Sequence, residues 1–101
     1  MKDYKQPTTK EIEKVGNLFK IIGDNTRLKL IFSLMEGKKT VSLLCENTLC
    51  SQSLISHQLK ILKDNNIVGN EKVGNYVYYF LVDEHINILI DICRTHVNEV
   101  K

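Results

Sequence analysis

The stretch DEHINILIDICRTHVNE, residues 83 to 99, carries Asp83 and His85 at one end, His96 and Glu99 at the other, and mostly aliphatics on the line between them. Imidazole nitrogens and carboxylate oxygens are donors that Zn²⁺ takes in tetrahedral sites. On a helix turning about 100° per residue, His85, Leu89, Ile92, His96 and Glu99 share one face within about 40°. Ile86, Ile90, Cys93 and Val97 form a second stripe roughly 100° round, and the remaining circumference is polar. A helix with two apolar stripes is expected to bury one in its own domain and the other against a partner, with the His-bearing stripe as the dimer seam. Asp83, just ahead of the helix, has a free backbone and can swing beside His85.

The two donor pairs cannot share an ion within one chain. Eleven residues of helix hold the imidazoles about 16 Å apart, whereas zinc bonds are about 2 Å long. If two copies pair these helices antiparallel across a twofold axis, the Asp83 and His85 end of one meets the His96 and Glu99 end of the other. Leu89 and Ile92 then pack between two identical sites. Two imidazoles and two carboxylates suit Zn(II), with Co(II) as a possible substitute, whereas Ni(II) prefers more ligands than the set offers.

The elements that must position this helix follow from periodicity. Ile12, Val15, Leu18, Phe19 and Ile22 recur at helical spacing over residues 9 to 22, with Thr8 or Thr9 available as a cap. Gly23 ends that helix and Asp24 or Asn25 caps the next, which carries Leu28, Ile31, Phe32 and Met35 on one side and stops at Gly37. VSLLCEN is a brief apolar-periodic segment, TLC a tight connection, and SQSLISHQLKILKDNN an amphipathic helix expected to turn Leu54, Ile55, Leu59 and Leu62 inward. Two helices so closely joined have helix-turn-helix spacing. Residues 67 to 82 then switch to β-branched and aromatic types around Gly74 and Asn75, which predicts a hairpin.

Length and composition bound the class. At 101 residues, 43% hydrophobic and 26% charged, with one Pro and five Gly, the chain reads as one domain with a modest core, of a size that often gains stability by pairing with a copy of itself. The expected organisation is a single α+β domain, mainly helical: a flexible arm over 1–8, a helix-turn-helix over 40–63, a wing over 67–82, and a dimerisation and metal-site helix over 84–99. No apolar leader or span-length run is present, so a cytoplasmic location and no membrane partner are expected. Cys45, Cys50 and Cys93, an odd number, are expected as reduced, buried thiols, with Cys45 facing the core and Cys93 on the inward stripe.

A net charge of +2 decides little, but residues 51 to 63 gather His57, Lys60 and Lys63 on a helix whose outer face also offers Gln52, Ser53 and Ser56. Such side chains bond base edges and phosphates, and the lysines release counterions from a duplex. Lys72, Asn75 and Tyr76 at the hairpin tip offer a second contact with DNA. SQSLISHQLKILKDNNIV followed by a short hairpin resembles the recognition helix and wing of the ArsR-SmtB winged-helix repressors, and GDNTRLKLIFSL resembles their second helix. The resemblance implies a homodimer, paired through its N- and C-terminal helices, that binds operator DNA until an inducer, usually a metal ion, releases it. It also implies zinc sensing through the last helix, since zinc sensors of that family carry Asp-x-His and His-x-x-(His or Glu) there. The family's arsenic, cadmium and lead sensors place a Cys pair where this chain has KKTVS, with Thr40 and no Cys, which argues against a soft-ion site of that kind.

Two alternatives remain open: a winged-helix repressor switched by thiol chemistry at Cys45, Cys50 or Cys93, and a zinc-stabilised interaction module that does not bind DNA. An enzyme, or a small-molecule substrate, is not expected. Ser56 and His57 are neighbours that point about 100° apart on a helix, and no third group orients them.

Overall fold

The computed structural model describes residues 3–99; Met1 and Lys2 of the expected arm, and residues 100 and 101, lie outside the described residues. The chain runs α1 (Thr9–Ile22), α2 (Asn25–Met35), β1 (Lys39–Thr40), α3 (Val41–Thr48), α4 (Gln52–Asp64), β2 (Val68–Val73), β3 (Tyr76–Leu81) and α5 (Glu84–Glu99).

Short polar side chains set the helix starts. Thr8 caps α1 in a reciprocal box with Glu11, the hydroxyl accepting from the Glu11 amide at 3.1 Å and the Glu11 carboxylate accepting from the Thr8 amide at 2.8 Å. Asp24, Thr40 and Ser51 cap α2, α3 and α4 in the same manner, each accepting from the amide three residues on. α1 stops where Gly23 lets the chain pass close to its last turn: a Cβ there would lie 2.8 Å from the Phe19 carbonyl oxygen.

The core lies between α2, α3, α4 and the sheet. Leu30, Ile31, Leu44, Ile55, Leu59, Leu62, Ile67 and Val68 are fully buried, joined by Ile22, Leu34, Ile86 and Ile90. Leu30 and Leu34 thus belong to the buried side of α2, whereas Leu28, Phe32 and Met35 are only half-buried at its edge. Leu54, expected to face inward, is exposed on the first turn of α4; Ile55, Leu59 and Leu62 fill the interior behind it.

The wing is antiparallel, Val68 opposite Leu81 and Val73 opposite Tyr76, with Gly74 at φ +63° in the connecting turn. A third strand joins it. Lys39 and Thr40 pair with Tyr79 and Tyr78, giving the sheet order β1-β3-β2 and tying the wing to the start of α3. Beneath this junction the Lys39 ammonium is buried, donating to Ser33 Oγ at 3.0 Å, to Asn47 Oδ1 at 2.8 Å and to the Glu36 carboxylate. Ser33 in turn donates to Asn47 Oδ1 at 2.6 Å. A buried charge is tolerated only when its donors are satisfied in this way.

The terminal helices project. The radius of gyration is 15.6 Å and the extents are 54 × 35 × 20 Å, against about 13 Å expected for the radius of a compact 100-residue domain. Among the described residues no helix is long and apolar enough to cross a membrane.

Candidate functional site: the reading helix, the wing and the last helix

α3 and α4 are joined by Leu49, Cys50 and Ser51, so α4 begins one residue later than its cap. Burial of Ile55, Leu59 and Leu62 turns Gln52, Ser53, Ser56, His57, Lys60 and Lys63 outward, and all six are exposed, as are Lys72 and Asn75 on the wing. Lys60 makes an ion pair with Asp64 at 2.9 Å along the helix, and Lys63 donates to Asn70 Oδ1 of β2 at 3.2 Å. A shallow cleft between α4 and the wing is bordered by Ser56, Lys60, Lys63 and Asn70. Two cations, one of them paired with Asp64 at the same cleft, stand beside hydroxyl and amide groups on a surface on which a phosphate backbone can rest.

Sequence reasoning missed what holds α4 at its angle. Arg27 of α2 donates through Nε to the Ile21 carbonyl at 2.6 Å and through a terminal nitrogen to Gln58 Oε1 at 2.7 Å, so one guanidinium ties the end of α1 to the inner edge of α4. The fork of donors on Arg makes such bridging efficient. The signal in the sequence was only an Arg three residues after a cap, which is also the signature of a solvated side chain.

The last helix splits into two halves. Ile86 and Ile90 are buried in the domain, and Leu89 packs on the same core from a half-buried position. From Asp91 to Glu99 every residue is exposed. Cys93 and Val97, expected on the inward stripe, therefore lie beyond the domain's edge, because α5 outruns the core it packs on. Ile92, the other expected seam residue, is 62% exposed, and Ile88 is exposed beside it. The cysteines are free; Cys93 is exposed, and Cys45 and Cys50 are half-buried rather than enclosed, both packed against the core.

Asp83 accepts from the His85 amide at 2.8 Å, which caps α5, and the same oxygen lies 3.5 Å from His85 Nδ1. That spacing is close to the roughly 3.3 Å edge of a tetrahedron with bonds of about 2 Å. The His85 side chain is 91% exposed and open to further ligands. At the other end His96 and Glu99 border one groove with Asp91, Ile92 and Thr95. Asp83 and His85 are thus in contact at one end, His96 and Glu99 border a common groove at the other, and the helix keeps the ends apart. Among the described residues no three His, Cys, Asp or Glu side chains gather around one point within a single chain.

With this geometry in view, comparison with known proteins decides the class. The family model for the bacterial regulatory proteins of the arsR family matches residues 24–69, covering α2, α3 and α4. A cadmium resistance transcriptional regulatory protein CadC homolog from Staphylococcus aureus is 36% identical over 87 residues, spanning 85% of this chain and 72% of that protein. The chain belongs to the arsR family. It is a winged helix-turn-helix, DNA-binding regulator of transcription and not an enzyme. The antimony-specific transcriptional repressor AntR is similar in structure, with a TM-score of 0.87 at 27% identity over 98% of this chain and 90% of that one. The homodimeric winged helix-turn-helix DNA-binding domain Mb0332 from Mycobacterium bovis has the same fold, with a TM-score of 0.83 at 20% identity over 98% of this chain and 92% of that one. Regulators of this arsR family bind operator DNA as homodimers.

Proposed function

We propose that this arsR-family chain is a metal-responsive repressor whose homodimer holds operator DNA in the metal-free form and lets go when Zn(II) binds between the last helices. In this reading Asp83 and His85 of one protomer and His96 and Glu99 of the partner subunit complete each site, and Leu89 and Ile92 line the seam. Gln52, Ser53, Ser56, His57, Lys60 and Lys63 read the major groove, and Lys72 and Asn75 of the wing hold the flanking backbone. The observation that carries the reading is the division of donors: two at each end of one exposed helix and an incomplete set in either chain.

The chemistry of the set supports zinc. Imidazole and carboxylate donors are borderline to hard, and none of the four is a thiolate of the kind a soft ion selects. The relatives named for cadmium and antimony make a metal effector the natural class, and the donor set of this chain directs the choice of ion toward Zn(II), with Co(II) as its spectroscopic substitute.

Two recognition helices related by a twofold axis reach successive major grooves when they stand about 34 Å apart. Zinc that ties the terminal helices together acts by favouring a dimer geometry that departs from this spacing. The coupling is reciprocal, and each tenfold loss of DNA affinity corresponds to about 1.4 kcal/mol of differential binding. The test is a titration of the preformed dimer–DNA complex with zinc, followed by fluorescence anisotropy. Release at one ion per chain is expected. Stoichiometric zinc uptake with unchanged affinity contradicts the effector role.

A thiol switch is the competing reading, favoured by one observation, the exposure of Cys93. Replacing all three cysteines by Ser separates the two, since the metal reading requires an undiminished zinc response.

A further inference from the structure

Leu49 occupies the turn of the helix-turn-helix, where its side chain serves neither the core nor the left-handed cap that its backbone makes. Its φ of +58° and ψ of +33° place it in the left-handed region, where its amide closes α3 by donating to the Cys45 carbonyl at 2.8 Å. Glycine or asparagine fills such a position with little strain, whereas a branched aliphatic side chain is disfavoured there. The leucine side chain is also 92% exposed, so it returns no burial in exchange. Strain and exposure together at one residue point to a role outside the folded monomer.

Its place in the fold indicates what covers it. Leu49 stands two residues before Ser51, the cap of α4, and the first turn beyond that cap carries Gln52 and Ser53, with Leu54 also exposed. With the less exposed Leu54 it makes a patch of two apolar chains beside a polar face, far too small to seat a protein, for which a stable interface needs on the order of 800 Å² per partner. A duplex that receives the start of α4 presents apolar groups of matching size at its edge, the C5 methyl of thymine and the C–H face of deoxyribose. We infer that Leu49 is a DNA-contacting residue, which packs on an apolar edge of the operator at the mouth of the groove entered by α4. This inference rests on the reading that α4 enters the groove.

The test uses the full chain and a palindromic duplex selected in vitro by the unaltered protein. Leu49→Gly and Leu49→Asn are expected to keep or raise the unfolding midpoint while weakening operator binding about fivefold to tenfold, the scale of half-burying one leucine. The slope of affinity against salt stays unchanged because no phosphate contact is lost, and Leu49→Met retains binding within about twofold. Replacing thymine by uracil across the half-site separates the two sources: a loss that vanishes in the Leu49→Gly background assigns the methyl, and a loss additive with it assigns the sugar. Binding by Leu49→Gly and Leu49→Asn within twofold of the unaltered chain overturns the inference. If Gln52→Ala and Ser53→Ala still weaken binding in that event, only the role of Leu49 fails; if they are silent too, the placement of α4 fails with it.

Discussion

The middle of the molecule and its two ends are built on different terms. From α2 to β3 the chain supplies most of one buried cluster, the caps are made, and even the buried Lys39 finds three acceptors. α1 leaves Ile12, Val15 and Phe19 in solvent and α5 leaves Ile88 and Ile92, each set on one face of a helix that extends past the core. Single exposed aliphatics are ordinary, but aligned ones on two projecting helices describe surfaces made for another chain. The core of the reading unit is complete in one copy, whereas the sensing unit in the proposed reading needs two.

Substitutions at the two kinds of site should therefore fail in different ways. Ile92→Glu places a charge in the seam and is expected to raise the dimer dissociation constant at least a hundredfold, with operator binding lost accordingly, while the helical circular dichroism of the monomer persists. Sedimentation velocity over a concentration series checks it. Leu59→Ala acts in the middle region: a cavity at a fully buried position costs about 3 kcal/mol, and at fixed protein concentration the thermal midpoint should fall by more than 10 °C.

Lys39→Met probes the buried polar junction under the wing and is milder. Glu36 stays hydrated and Ser33 still bonds Asn47, so a loss of about 1 kcal/mol is expected in urea unfolding. Lys60→Ala should be the smallest. Its exposed ion pair with Asp64 contributes no more than about 0.5 kcal/mol to folding, so stability barely moves, while the salt slope of operator binding falls by about one phosphate contact.

How much of this was legible in the sequence varied with how local each cause was. The stop at Gly23 and the hairpin around Gly74 and Asn75 depend on neighbours in sequence and appear as read, and of the alternative caps Thr8 and Asp24 are the ones used, while Ser51, read as the first residue of its helix, is the cap before it. β1 was invisible because Lys39 and Thr40 become a strand only through pairing with Tyr79 and Tyr78, some forty residues away. Leu54 and Cys93 show the limit of periodicity. A helical stripe predicts which side faces inward, but it carries no information on where the neighbouring core ends, and both residues lie past that edge. The link from Arg27 to Gln58 and the burial of Lys39 were likewise hidden, since an Arg or a Lys on a helix or strand looks the same whether it bridges elements or meets water. For the metal site, residue types and spacing supplied the donors. The fold adds a contact of 3.5 Å between Asp83 and His85 and a common groove bordered by His96 and Glu99.

The most direct test of inter-subunit chelation is complementation between two disabled chains, one carrying Asp83→Ala with His85→Ala and the other His96→Ala with Glu99→Ala. A heterodimer of the two has one site without donors and one with the full set. Each variant alone should give no tetrahedral Co(II) absorption, and an equimolar, re-equilibrated mixture should recover about a quarter of the unaltered signal per chain, because half of the dimers are mixed and each restores one of two sites. Full Co(II) binding by either variant alone, or no recovery in a mixture shown to contain heterodimers, would contradict the account.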